Sequence, residues 1–398
     1  MTEHTFEQTR WSLADLLPAT EGPDFDQLLA DLEAAVGELE ASRDKLSPDI
    51  PQESFLRLLA LVEKIATLSR RLGYYGGLWF YADTQDQDAL AYRGRMEKLL
   101  TGVQNRTLFF DLWWKGLDDE AACRLLAVSG DNAYYLESLR DFKPFTLTEA
   151  EEKVINLKDV NGVQALLTVY EVITTDFSFK VEIDGEVKEL TRDALMVYAR
   201  DPRSEVRAAI YQELHRVYGE QATVLGQIYQ HIARDWASEN VSLRSFDSPI
   251  SVRNLRNDIP DAVADTLLAV CRQNASLFQR WFRLKAGWLG LDKLQRYDIY
   301  APLSSSEKTY PFSEAADMVL DTLNGFSPEL ADHALRVFAE DHVDSEVRPG
   351  KSGGAFCSSP LPGLTPWVLV NYNGKVGDVA TLAHELGHAV HAQMAGEH

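Results

Sequence analysis

The amino-acid sequence predicts a mainly α-helical fold that carries a few short strands. Most of the 398 residues belong to stretches in which apolar positions recur at the helical spacing of three and four. The β signals are few: a hairpin pattern near the middle of the chain, and one short apolar strand just before a histidine-bearing helix near its end. We therefore expect a helical body with a small sheet next to that helix.

The first part of the chain reads as a series of helices. The periodic segments are 25–39, 53–72, 86–116, 119–128 and 148–173. The third contains four aromatic residues, Phe109, Phe110, Trp113 and Trp114. They could form a ligand platform, but aromatic residues at this spacing on a long helix usually pack in a core. We assign them to the core.

A β-hairpin interrupts the helices at Asp184-Gly185, a dipeptide that favours a tight turn between two strand-like runs. We place a domain boundary after this hairpin, with an N-terminal helical domain over 1–190 and a second domain over 191–398. The second domain is predicted to contain helices over 192–218, 221–239, 259–289 and 312–323, and an extended segment over 297–303. Ser313 is the expected N-cap of the last of these helices.

The motif H-E-x-x-H occurs at His384, Glu385 and His388. On a helix, a spacing of four residues places both histidines on one face, one turn apart, where they can bind a single Zn²⁺. The glutamate between them can act as the base that activates a water molecule on the metal. A hydrolytic zinc site needs three protein ligands and an open position, and the motif supplies only two.

The residues around the motif favour a metal site over a surface helix with incidental histidines. Trp367–Tyr372 reads as a strand, Asn373-Gly374 as a turn, and Asp378 as the N-cap of the following helix. The apolar residues of that helix form a stripe on the face opposite to the histidines.

A glycine-rich segment, 347–359, precedes this strand. Its backbone could pair with a peptide substrate as an added strand, or it could be an ordinary hairpin loop; the spacing alone does not decide between them. Cys357 within it could be a further metal ligand or an inhibitory thiol, although a small strand residue is the commoner reading.

Composition limits the possible partners and the compartment. A formal charge of −22 argues against binding to nucleic acid, which needs clustered Lys and Arg. No apolar run is long enough to span a membrane, and the first residues lack the pattern of a signal peptide. The three cysteines are far apart and odd in number, so we predict reduced thiols in a cytoplasmic protein. Nothing in the sequence indicates an oligomeric state.

Three segments of the chain together resemble the oligoendopeptidase F family, which belongs to the thimet-oligopeptidase group of zinc metallopeptidases. They are Arg348–Cys357, Val370–Gly374 and Asp378–His391, and weaker similarities extend to the start of the chain. The resemblance implies a multi-helical, zincin-like fold with a deep channel that admits short, unstructured peptides. It implies that His384 and His388 are zinc ligands and that Glu385 is the catalytic base. It also implies that substrate backbone binds along Gly353, Gly354, Ala355 and Phe356.

The sequence departs from that family at its C-terminal end. The family's third zinc ligand is a Glu on a following helix, about two dozen residues beyond the second His, and no residue of the chain takes that position. Glu397 would lie about 13 Å along the helix from His388, too far for a shared metal. His391 lies about 10 Å from His384, which suits a hydrogen-bonding or structural role next to the ligands. We therefore expect one zinc ion, a third ligand outside the chain, and a catalytic domain whose C-terminal part is missing from a truncated chain.

Two functional hypotheses follow. The first is a zinc-dependent endopeptidase that acts on short oligopeptides in its full-length form, with the 398-residue chain itself inactive. The second is a non-catalytic helical protein that binds peptides or serves as a scaffold and retains the motif as a relic. The missing third ligand favours the second hypothesis, whereas the intact His-Glu-x-x-His set favours the first.

Overall fold

The computed structural model describes residues 6–303 and 308–396, and it confirms the mainly α-helical fold. The helices are α1 (Pro23–Glu40), α2 (Gln52–Ala82), α3 (Gln87–Gly116), α4 (Asp119–Leu126), α5 (Ala133–Asp141), α6 (Glu149–Asp159), α7 (Ala165–Thr175), α8 (Arg192–Val197), α9 (Ser204–Glu220), α10 (Ala222–Trp236), α11 (Pro249–Arg256), α12 (Asp261–Gln273), α13 (Ala275–Trp288), α14 (Phe312–Phe326), α15 (Pro328–Ala339) and α16 (Val376–Ala395). No helix within the described ranges combines the length and the apolar character needed to cross a lipid bilayer.

The strands form two small sheets, as the sequence predicts. They are β1 (Phe179–Ile183), β2 (Glu186–Leu190), β3 (Val343–Asp344), β4 (Phe356–Ser358) and β5 (Trp367–Leu369). The first two make the expected antiparallel hairpin around Asp184-Gly185, both of which adopt the positive φ that such a turn requires. In the second sheet β5 is central, parallel to β3 and antiparallel to β4. Strand β4 is therefore an edge strand.

Helices α1, α2 and α3 form a bundle around the largest apolar cluster of the molecule. The aromatic residues of α3 belong to it: Phe109, Phe110 and Trp114 are buried, and Trp113 packs at its margin. The indole Nε1 of Trp114 donates to the carbonyl of Leu136, 2.7 Å away, so its polar atom is satisfied inside the core. The prediction that these residues are core is confirmed.

Several predicted helices are broken in the structure. The segment 192–218 divides into α8 and α9 because Pro202 disfavours a helical conformation at the residue before it. The segment 259–289 divides into α12 and α13 at Asn274. The prediction that 297–303 is an extended segment is wrong, since the segment begins within a single 3₁₀ turn over Arg296–Asp298.

Both predicted N-caps are also wrong. Helix α14 begins at Phe312, one residue before the predicted cap Ser313, and its N-cap is Pro311. Helix α16 begins two residues before Asp378, which lies at the third helical position instead. In each case an extended residue precedes the helix, and the helix starts before the residue whose side chain is of the usual N-cap type.

The beginning of the described chain lies on the second sheet. The amide of Ser12 donates to the carbonyl of Asp341 at 2.7 Å, and the amide of Ser345 donates to the carbonyl of Thr9 at 2.9 Å. The indole of Trp367, in the central strand, donates to the carbonyl of Ser12 at 2.7 Å. Residues 6–17 thus pack with the sheet of the C-terminal half, while the division of the chain at 190/191 stays a prediction.

A second apolar core holds the histidine-bearing helix in place. Helices α14, α15 and α16 pack on one another, and α16 packs on β4 and β5. The residues that α16 contributes face inward and are Val379, Leu382, Leu386 and Ala389. Their burial leaves the opposite face of α16 towards solvent, as the apolar stripe predicts.

Candidate active site

Helix α16 is anchored at its N-terminus by Asp378. Its Oδ2 accepts hydrogen bonds from the amides of Asn373, at 2.9 Å, and Lys375, at 3.0 Å. The turn between strand and helix passes through Gly374, whose φ of 81° is costly for residues with a Cβ. A carboxylate in the first turn also interacts favourably with the helix dipole. These contacts fix the start of the helix that carries the motif.

His384 and His388 converge on one point outside α16. Their Nε2 atoms lie 3.1 Å apart, and the two rings are nearly perpendicular, at 89°. Two imidazole nitrogens that bind one tetrahedral Zn²⁺ at 2.0–2.1 Å are separated by about 3.3 Å. Both side chains are exposed, so an ion can reach them. The donor atoms therefore fit a shared zinc ion.

Glu385 lies between the two histidines in sequence and is 7% exposed. It approaches Cys357 of β4, whose pKa rises to about 12 because the thiol is buried and because the charge of Glu385 opposes its ionisation. The thiol of Cys357 therefore stays protonated near neutral pH in the metal-free chain.

No third ligand accompanies the two histidines within 6–303 and 308–396. The groups of three His, Cys, Asp or Glu ligand atoms that lie close together in these ranges consist of other residues. His391 is exposed on the next turn of α16 and makes no hydrogen bond to either histidine there. Its predicted supporting role remains a prediction.

The predicted substrate-binding residues occupy two different settings. Gly353 and Gly354 form the turn before β4, which Asn371 holds by donating from Nδ2 to the carbonyls of Ser352, at 3.1 Å, and Gly354, at 3.0 Å. A Cβ on Gly353 would lie 2.8 Å from a carboxylate oxygen of Asp193, so a side chain at this position would displace that carboxylate.

Ala355 and Phe356 lie at the edge strand itself. The amides of Val368 and Val370 donate hydrogen bonds to carbonyls on the β3 side of β5. The backbone groups of the intervening Leu369 therefore face β4, where this residue pairs with Phe356. Because successive residues of a strand point their backbone groups to opposite sides, those of Ala355 and Cys357 face away from the sheet. These are the groups that an added strand could pair with.

A cleft of about 850 Å³ separates β4 from α2. The strand side is formed by Phe356, Cys357 and the two serines that follow, and the helix side includes Arg70, Gly73, Tyr74, Gly77 and Tyr81. Cys357 links the cleft to Glu385. The structure thus brings together the motif, an open strand edge and a groove.

A buried charge network under the glycine-rich turn has no counterpart in the sequence prediction. Lys351 and Asp344 are both fully buried, with Nζ and Oδ1 2.7 Å apart. Arg348 makes a bidentate pair with the same carboxylate, at 2.7 and 2.6 Å. Burial lowers the pKa of Lys351 to about 8, although the charge of Asp344 acts in the opposite direction. The sequence signal that could have indicated this network is the pair of basic residues, Arg348 and Lys351, on either side of a Pro-Gly dipeptide in the glycine-rich segment.

Comparison with known proteins identifies the family of the chain. The sequence model of Peptidase family M3 matches residues 197–398, just over half of the chain, including the entire motif. The chain belongs to peptidase family M3. The resemblance to oligoendopeptidase F, a branch of family M3, is likewise confirmed by relatives of that name.

The curated relatives are longer than this chain. Oligopeptidase PepF of Bacillus subtilis is 23% identical over 400 aligned residues, which cover 98% of this chain and 58% of that protein. Group B oligopeptidase PepB of Streptococcus agalactiae is 26% identical over 275 residues, covering 66% of this chain and 44% of that protein. The chain therefore spans about half the length of these relatives.

A solved structure shares the fold. Oligoendopeptidase-F from Enterococcus faecium superposes with a TM-score of 0.63 at 19% identity, over 79% of this chain and 64% of that one. At this identity the likeness concerns the fold, and it agrees with the helical architecture and its small sheets.

Proposed function

We propose that this site belongs to a zinc-dependent endopeptidase that hydrolyses short, unstructured oligopeptides. The observation that carries the proposal is the convergence of the His384 and His388 Nε2 atoms, 3.1 Å apart, beside the Glu385 carboxylate and the cleft bounded by β4. The names of the relatives, oligopeptidase and oligoendopeptidase, support the same substrate class.

His384 and His388 would hold the zinc ion through Nε2. When bound, zinc polarises a peptide carbonyl and lowers the pKa of water. Glu385 takes the proton of the attacking water and later delivers it to the leaving amine. Its low exposure limits competing solvation of the carboxylate.

The substrate would lie extended along β4. The outward backbone groups of Ala355 and Cys357 would pair with the peptide backbone, while Gly353 and Gly354 hold the turn that presents the strand. The wall formed by α2 leaves room beside β4 for an extended chain. This geometry supports selection of flexible oligopeptides.

Full activity requires a third zinc ligand, and the described residues supply two. We therefore propose that the 398-residue chain binds zinc weakly at this site and hydrolyses peptides slowly or not at all. His391 would orient a ligand histidine through an outer hydrogen bond once the metal is present.

Zinc titration by calorimetry tests the metal site. We expect one zinc ion to bind at this site with micromolar affinity. This binding should be lost when His384 and His388 are both replaced by Ala, and it should be kept in Glu385→Gln. His333→Ala, on α15, serves as the matched control. An unchanged number of zinc equivalents in the double variant contradicts the proposal.

Peptide hydrolysis tests the reaction. In any form of the protein that cleaves a quenched oligopeptide, Glu385→Gln should lower kcat by about 10²–10⁴, and a chelator should abolish turnover. Hydrolysis that survives either change rules out the mechanism. The incomplete ligand set favours the non-catalytic alternative. That alternative would be supported if a zinc-loaded form with a complete ligand set bound a peptide tightly in the cleft but did not hydrolyse it.

We also propose a cytoplasmic location without membrane or nucleic-acid partners. The cysteines, Cys123, Cys271 and Cys357, are all free of disulfides in the structure, which suits a reducing compartment. The charge of −22 opposes binding to phosphate backbones. Cell fractionation with an antibody to the chain tests this, and recovery in a membrane or periplasmic fraction would contradict it.

A further inference from the structure

A second group of metal-ligating side chains lies away from the motif, where residues 6–17 meet the second sheet. It consists of Asp15, Glu340 at the end of α15, and His342 just before β3. One ligand atom from each lies within 4.8 Å of the other two. Two carboxylates and an imidazole are a donor set that zinc and similar divalent ions accept.

His342 is held rigidly with one nitrogen committed. The side chain is 1% exposed and its ring stacks on Trp367, with the ring centres 3.9 Å apart. Its Nδ1 lies 2.9 Å from the carbonyl oxygen of Thr365. Because a carbonyl can only accept, Nδ1 carries the proton, and in the neutral ring Nε2 presents a lone pair. A backbone carbonyl fixes metal-binding histidines in the same way.

The Nε2 atom of His342 points at the two carboxylates without a hydrogen-bond partner of proper geometry in the described structure. Asp15 Oδ2 is 3.3 Å away, close enough for an ion pair but not aligned for a hydrogen bond. A buried nitrogen lone pair facing carboxylates is unfavourable unless a cation lies between them.

Protonation of His342 is the competing explanation. An imidazolium would pair with Asp15. Burial lowers the pKa of His342, while the Thr365 carbonyl, the charges of Asp15 and Glu340, and the poorly aligned contact of Nε2 with the Asp15 carboxylate act in the opposite direction. The poor alignment of Nε2 with Asp15 also disfavours the ion pair. A divalent cation satisfies all three groups at once.

We propose that Asp15, Glu340 and His342 form a second divalent-cation site, selective for zinc or a chemically similar ion. The side chain of Asp15 is 52% exposed, so the ion has a path from solvent. The site fastens residues 6–17 to the strand β3, next to the hydrogen bond between Ser12 and Asp341. It does not depend on the proposed peptidase function, since it shares no residue with the motif.

The test isolates this site by using the whole chain with His384→Ala and His388→Ala. Calorimetric titration with zinc chloride should show one remaining equivalent with micromolar affinity. Asp15→Asn combined with Glu340→Gln should weaken it at least tenfold, and His342→Gln should remove it. The matched controls are His333→Gln and the exposed pair Glu21→Gln with Asp24→Asn, which should bind as the parent does.

Thermal unfolding provides a second readout that a folding defect in His342→Gln does not confound. Zinc should raise the Tm of the parent and leave that of the Asp15→Asn, Glu340→Gln variant unchanged, because both replaced side chains are exposed. The proposal is overturned if the chain with His384→Ala and His388→Ala binds no zinc, which would mean that His342 and Asp15 form an ion pair only. It is also overturned if all variants bind zinc equally tightly.

Discussion

Lys351 and Asp344 form an ion pair in which both side chains are inaccessible to solvent, with Nζ 2.7 Å from Oδ1. The same ammonium group approaches three backbone carbonyls, those of Asp344, Glu346 and Val370, at 2.7–3.0 Å. It thereby ties the segment after β3 to the end of β5. The glycine-rich turn that precedes the edge strand rests on this connection.

Replacing Lys351 by Met should destabilise the protein by about 3 kcal/mol, because it leaves Asp344 buried with only Arg348 as a charged partner. Urea unfolding measures this free energy. Lys308→Met is the matched control, since Lys308 pairs with Glu314 at the surface, where such pairs contribute about 0–1 kcal/mol. An equal loss of unfolding free energy in the two variants would show that the buried pair stabilises the protein no more than the surface pair does.

The contribution of Lys351 should depend on pH. Its pKa is about 8 in the folded chain against 10.5 as the usual value, so between these values the unfolded chain binds more protons at this site. The stability of the wild type relative to Lys351→Met should therefore rise from pH 8 to pH 10.5, by at most about 1.4 kcal/mol per pH unit. Urea titrations of both proteins across this range measure the difference, and a constant difference would contradict the lowered pKa.

Cys357 should resist alkylation. Its pKa of about 12, raised by burial and by Glu385, keeps it protonated at pH 8, whereas Cys123 and Cys271 are exposed. We expect iodoacetamide to modify Cys357 at least tenfold more slowly than the other two, as followed by peptide mass spectrometry. The three rates should converge in concentrated urea. Comparable rates in the folded protein would mean that the thiol is accessible and ionised.

Gly77 keeps the cleft open on the side of α2. A Cβ at this position meets no atom within 4 Å, so Gly77→Leu should fold and place its side chain in the cleft. Leucine should also raise helix stability by up to about 1 kcal/mol. The affinity for a labelled oligopeptide, measured by fluorescence anisotropy, should fall at least tenfold. Gly94→Leu, on the exposed face of α3, should leave it unchanged, and equal affinities for both variants would place the peptide elsewhere.

The sequence was sufficient for the features that depend on local patterns. The hairpin at Asp184-Gly185 follows from turn chemistry, and α16 follows from its apolar stripe, so its histidine face could be predicted. Its N-terminus could not, because Asp378 caps the helix through the preceding turn and not from the N-cap position. Side-chain preference does not distinguish these two arrangements.

Features that depend on distant contacts were beyond the sequence. The cleft exists because α2 lies opposite β4, nearly three hundred residues later, and no local pattern relates the two. The partners of Lys351 are likewise set by how β3 and β5 pair. Periodicity indicates which face of an element is buried but not which element covers it.

The hydrogen bonds between residues 6–17 and the second sheet affect how the chain can fold during synthesis. The amide of Thr9 bonds to the side chain of Ser345, 336 positions later. The ribosome releases the first partner long before the second exists, so this stretch must wait while the α1–α3 bundle assembles from contacts closer in sequence. The sheet that supports the motif should therefore form late, after its strands up to β5 have emerged.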